Sequence, residues 1–139
     1  MSERMLESEW QRRLQVHLSS VGFRVFRNTI GFDREKKIRY GLSKGSADLV
    51  GWFSHNGIAV FVGIEVKMPA GRIKEDQQRW LDVVNSAGGF ATIARAPTSN
   101  PTDDDAERVA GEIREQCMTR FSWEDTPPTT PSMGSPSSQ

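Results

Sequence analysis

A single cysteine, Cys117, stands in 139 residues, so no disulfide can close within the chain. A lone thiol of this kind is expected as a small buried hydrophobe. No apolar run approaches the roughly 20 residues of a membrane-spanning helix, and the charged start Met1-Ser2-Glu3-Arg4 has no secretory apolar stretch. A cytoplasmic or otherwise intracellular protein without membrane contact is expected. His17 and His55 are far apart and neither has zinc-ligand neighbours, so a structural zinc is not expected. The chain has no Gly-x-x-x-x-Gly-Lys-Ser/Thr loop and no triad context around its Ser, His and Cys residues. ATP hydrolysis, a nucleotide cofactor and covalent acyl chemistry are therefore poorly supported. No internal repeat is visible.

Net charge is also missing: 18 basic residues balance 18 acidic ones, which taken alone argues against a nucleic-acid partner. The distribution argues the other way. Residues 24–44 carry seven basic groups (Arg24, Arg27, Arg34, Lys36, Lys37, Arg39, Lys44) against Asp33 and Glu35, whereas 103–125 holds eight acidic groups against three arginines. A basic segment of this kind is either a solvated loop or a set of phosphate contacts. The length suits one domain with one core.

What the chain does have is concentrated in residues 44–80. Two apolar runs, 47–53 and 58–66, flank His55-Asn56-Gly57, and Asn-Gly between strand-like runs is a strong hairpin signal. With Asn56 and Gly57 as the central turn residues, His55 pairs with Ile58 and Phe53 with Val60. Counting back sets Asp48 directly across from Glu65, with Lys67 on the same face, because side chains alternate with period two.

Two carboxylates placed opposite one another are about 5 Å apart at Cβ and repel. A divalent cation between them fits: Mg²⁺ takes oxygen ligands and is held by one or two carboxylates together with substrate phosphates. Lys67 cannot ligate a cation but can stabilise charge developing on a phosphate. The other reading of the three residues is a solvated ion-pair cluster worth about 0–1 kcal/mol.

Lys44-Gly45-Ser46-Ala47-Asp48-Leu49, then Ile64-Glu65-Val66-Lys67, then Gly71-Arg72-Ile73 and Gln77, in that order, resemble the VRR-NUC family of the PD-(D/E)XK nuclease superfamily. Ala47 stands where that family commonly has Pro, a position that carries no catalytic group. The resemblance spans roughly residues 7–95. It implies an α/β, restriction-endonuclease-like single domain with a mixed central sheet flanked by helices, an αβββαβ core plus a C-terminal helix. It also implies a Mg²⁺-dependent endodeoxyribonuclease, with Mn²⁺ able to substitute, acting as a homodimer on branched DNA such as Holliday junctions in repair or recombination. Glu7, Asp48, Glu65 and the Val66 carbonyl would hold the metal, with Lys67 and Gln77 completing the catalytic set. Arg27, Lys44, Arg72 and Lys74 are the candidate DNA contacts. A module on this fold that binds DNA without cleaving it, and a sequence-specific restriction-type nuclease, are the alternatives.

The flanking chain supplies the rest of the domain, expected over residues 1–124. Leu6, Trp10, Leu14, Leu18 and Val21 recur at helical spacing and predict a helix over 2–21. Glu7 falls near the centre of its apolar stripe and Gln11 one turn beyond. The family pattern, a first-helix Glu four residues before a Gln or Glu, matches at Glu7 and Gln11, with Glu9 as a substitute if the helix is rotated. Residues 23–27 predict a strand, and Ile38-Arg39-Tyr40 a short one. Glu75 begins a helix through Ala87 that turns Trp80, Leu81, Val84 and Gln77 towards the sheet. Residues 90–94 form a further strand, parallel to 58–66 through a right-handed crossover. A last helix starts at Asp103, and the Pro/Ser/Thr-rich residues 125–139 are expected to be disordered.

Overall fold

The computed structural model of the protein describes residues 4–121; the tail expected at 125–139 and the domain boundary at 124 lie outside the described residues. The chain runs α1 (Glu7–Ser20), β1 (Phe23–Arg27), β2 (Gly31–Asp33), β3 (Ile38–Tyr40), β4 (Leu49–His55), β5 (Ile58–Lys67), α2 (Glu75–Ser86), β6 (Phe90–Arg95) and α3 (Asp103–Phe121). One mixed sheet has the order β1-β4-β5-β6, with β6 parallel to β5 and the other pairs antiparallel. This is the expected αβββαβ core followed by a C-terminal helix. Inserted between its first two strands is a separate two-stranded ribbon, β2-β3.

The central hairpin has the register that its turn dictates. Asn56 and Gly57 both take positive φ, 51° and 78°, the type I′ geometry that matches strand twist. His55 pairs with Ile58, Phe53 with Val60, and the ladder runs to Leu49 opposite Ile64. One more step along that register sets Asp48 across from Glu65.

Alternation along β5 divides the sheet into two faces. Val60, Val62, Ile64 and Val66 pack with Trp10, Leu14 and Leu18 of α1 and with Ala106, Val109, Ala110, Ile113 and Cys117 of α3. The Trp10 indole N–H reaches the Ala94 carbonyl at 3.3 Å. Cys117 is the buried small residue expected of it, and burial pushes its thiol up to about 11. On the opposite face α2 lays Leu81, Val84 and Trp80 over Ala91 and Ile93. Glu65 and Lys67 belong to this second face.

Two expectations at the first helix need correction. It starts at Glu7, and residues 4–6 just before it are not helical, because the Met5 N–H is drawn into a 2.9 Å bond to the Ser99 carbonyl and Leu6 is extended; the expected start at residue 2 lies outside the described residues. Leu6 is therefore the residue before the helix and is 73% exposed instead of part of the buried stripe.

Trp80 needs the absence of a side chain beneath it. A Cβ on Gly63 would sit 2.4 Å from Trp80 Cζ3 and 2.7 Å from Cη2, so Gly63→Ala must push α2 off the sheet. Overpacking of this kind costs about 1–3 kcal/mol, and a lower urea midpoint with an unchanged m-value is the expected result.

Candidate functional site

The site lies just ahead of the start of β4, where β5 runs on past it. Asp48, half-buried just ahead of β4, accepts the Val66 N–H at Oδ2 over 2.8 Å, while its own carbonyl accepts the Asn28 N–H at 2.8 Å. In a strand the N–H and C=O of one residue leave by the same edge. The Val66 carbonyl therefore points to the Asp48 side, past the end of β4.

Glu65 is 2% exposed. Burial, a hydrogen bond shared with Asp48 and the Asp48 charge push its carboxyl up to about 9, with Lys67 pulling the other way and Glu7 adding to the rise. Its Oε2 is buried without a hydrogen-bond partner among the described residues. A buried carboxylate oxygen in that position calls for a proton or a cation.

Lys67 is half-buried, and its stem runs against a turn: a Cβ on Gly71 would fall 3.1 Å from Lys67 Cδ. Arg95, the register partner of Lys67, turns away from the carboxylates and donates to the carbonyls of Met68, Pro69 and Gly71 at 3.0, 3.2 and 2.6 Å. It thereby fixes the turn that confines Lys67. Gly71 belongs to the motif set that carries the family resemblance, whereas Arg95 carries no sequence signal for this role.

Two clefts meet at Asp48. One, of about 290 Å³, lies between α1 and the start of β2 and is lined by Glu7, Gln11, Arg27, Asn28 and Asp48. The other, of about 540 Å³, is lined by Lys44, Gly45, Ser46, Asp48, Lys74 and Gln77, bringing the first turn of α2 to the site. Gly45 makes that approach possible: its φ is +90°, and a Cβ there would lie 2.7 Å from the Asp76 carbonyl.

Glu7 is exposed, not on the inward edge of the helix, because α1 begins at this residue. It nevertheless shares the cleft with Asp48, and its charge reaches Glu65. Glu9 is tied to Arg12, Oε1 and Oε2 each accepting at 2.8 Å, and lines a different hollow. Gln77 is half-buried and lines the larger cleft, but its Oε1 accepts the Lys74 N–H at 2.9 Å and so caps α2. Its amide nitrogen remains for the cleft. Lys44, Lys74 and Arg27 are exposed on the cleft walls, whereas exposed Arg72 lines neither cleft.

Asn28 is the residue that sequence reasoning passes over. Its amide nitrogen donates to Ser46 Oγ and the Ala47 carbonyl, both at 2.8 Å, and its Oδ1 accepts the Leu42 N–H at 3.4 Å. These bonds tie the end of β1 to the segment that delivers Asp48.

The chain matches the VRR-NUC domain over residues 3–97. It belongs to the VRR-NUC family. Membership carries a nuclease-type function in DNA processing, and nucleases of this kind generally use divalent metal ions. Neither curated proteins nor solved structures gave a match. The fit of this VRR-NUC chain to a metal can be judged from its own donors. Hard carboxylate and carbonyl oxygens suit Mg²⁺ or Mn²⁺, and the unpartnered Glu65 oxygen supplies the need for a cation. Among the described residues, no three His, Cys, Asp or Glu side chains stand close enough together to form a metal cage unaided. Mg²⁺, which retains several waters, does not require such a cage. No described helix is long and apolar enough to cross a membrane.

Proposed function

We propose that the protein is a Mg²⁺-dependent endodeoxyribonuclease that hydrolyses phosphodiester bonds in branched or structured DNA inside the cell. The observation that carries this reading is the buried, unpartnered Glu65 oxygen beside Asp48 on the face that also bears Lys67. A surface ion-pair cluster would leave no carboxylate oxygen buried without a partner.

Asp48, Glu65 and the Val66 carbonyl would hold the metal, with Glu7 across the cleft reaching it through a retained water. Bound there, a divalent cation supplies Lewis-acid polarisation of the scissile phosphate and neutralises its charge. Lys67 directs its ammonium at the non-bridging oxygens as charge builds on them. A water oxygen attacks phosphorus and gives up a proton to solvent, while the bond to one ester oxygen breaks and that oxygen takes a proton from solvent. Gln77, its carbonyl oxygen held by the helix, uses its amide N–H groups to orient the substrate. Lys44 and Lys74 neutralise flanking phosphates on the α2 side, and Arg27 does so on the α1 side. A two-fold dimer of the chain would match the two equivalent strands cut in a four-way junction.

The test is incubation of the purified chain with junction, flap and linear duplex DNA in Mg²⁺ or Mn²⁺, beside Glu65→Ala. Cleavage by the wild type, strongest on branched DNA and lost in the variant, is expected. Equal products from the two proteins would remove the mechanism. DNA binding without cleavage by either would leave a non-cleaving module instead.

A further inference from the structure

The α2-side face of the sheet is only partly covered. Beyond Trp80 it presents Phe61, Trp52 and Phe26, which are 45%, 42% and 55% exposed. Arg24, Trp52 and Phe61 form one cross-strand row, and Phe26 and Val50 lie in the next. The Phe26 and Trp52 rings are 5.9 Å apart and tilted, and the row closes on Trp80, 6.2 Å from Phe61. These rings floor a hollow of about 630 Å³ whose wall includes Arg27, Asn28 and Thr29. The same three residues line the cleft that contains Glu7 and Asp48. Hollow and cleft therefore adjoin along this segment.

From these features we infer that the aromatic face is a stacking platform for unpaired bases of the DNA that enters the cleft. It rests on the nuclease reading above for DNA as the ligand, and it adds which part of the DNA is held and where. Nucleobases stack on aromatic faces irrespective of sequence. The phosphates that accompany them find Arg27 on the wall and Arg24 at the end of the row, where its guanidinium donates to Ser19 Oγ at 2.7 Å, and among the described residues no Asp or Glu lines the hollow. The same basic rim disfavours a second copy of the chain, since a two-fold contact sets each patch against its own kind. Trp52 lies four residues along β4 from Asp48, roughly 13 Å at strand rise, or about four stacked nucleotides. Base-paired DNA cannot offer ring faces to such a floor, so the platform selects substrates with an unpaired segment near the scissile bond.

The experiment uses the full chain in EDTA, so that binding is measured without cleavage. A labelled oligothymidylate and a duplex of equal length are titrated against wild type, Phe26→Ala, Trp52→Ala and Trp52→Phe. The two alanine variants are expected to bind the single strand about five- to a hundredfold more weakly and the duplex within about twofold of wild type. Trp52→Phe restores most of the loss. Unchanged single-strand affinity, an equal loss on the duplex, or a Trp52→Phe protein as weak as Trp52→Ala overturns the platform. So does conversion of a dimer to a monomer by these substitutions in sedimentation, which would make the face an interface between copies. Cleavage by wild type in Mn²⁺ is scored separately. Its absence with selective single-strand binding intact removes only the nuclease reading.

Discussion

Lys67→Ala is expected to slow DNA cleavage by about two to three orders of magnitude, the typical effect of removing one preorganised donor aimed at developing charge. Cation binding should survive, because an ammonium is not a ligand. The variant therefore separates from Glu65→Ala, which should lose both. Lys67 is suited to the task by confinement: its stem runs close along Gly71, where an added Cβ would press on Cδ at 3.1 Å, and Arg95 fixes that turn through three carbonyls. An ammonium held in this way loses little entropy when phosphate arrives. Lys67 also lowers the Glu65 pKa, so its removal should shift the onset of Mn²⁺ binding to higher pH. Single-turnover rates at saturating Mn²⁺, with calorimetric titration of Mn²⁺ into each variant, make the comparison. A Lys67→Ala rate within threefold of wild type would deny the residue a part in the chemistry.

The parts of this site that could be read from sequence are those set by short-range geometry. The Asn56-Gly57 turn and the period-two alternation of β4 and β5 suffice to set Asp48 opposite Glu65 and to put Lys67 on the same face. The inward stripe of α2 is legible for the same reason, being a local helical repeat. What escaped depends on distant partners. The late start of α1, and with it the exposure of Glu7, follows from a backbone bond between Met5 and Ser99. Asn28 carries no local signal, and its role exists only because Ser46 and Ala47 come back to meet it. The β2 strand is three residues long, too short to show a period. Gln77 was correctly placed at the cleft side of α2, but the bond it makes to Lys74 is a cap, and Lys74 lacks the Ser or Thr that advertises a capping box.

In metal-free protein, stability is expected to fall as pH rises from about 4.5 to about 9, and Glu65→Gln should abolish that part of the slope. The Glu65 carboxyl ionises near 4.5 in the unfolded chain and only near 9 in the fold. Between those values the native state keeps a proton that the unfolded state has released. Raising the pH therefore favours unfolding, by at most about 1.4 kcal/mol per pH unit for one group. The contribution is complete below the lower value and is lost once the native carboxyl ionises as well. Burial dominates the shift, with Asp48 next, so an amide of the same shape, neutral at every pH, removes the dependence and leaves Asp48 without a rival charge. Adding Mn²⁺ reverses the sign of the comparison. A cation binds the ionised pair and releases the proton, so its stabilising effect on wild type should grow towards alkaline pH by mass action and be much smaller in Glu65→Gln. Urea midpoints at pH 5, 7 and 9, with EDTA or with Mn²⁺, measure both effects. Equal pH slopes for wild type and Glu65→Gln in EDTA would mean that Glu65 holds no such proton, and the pressure for a cation at that oxygen would go with it.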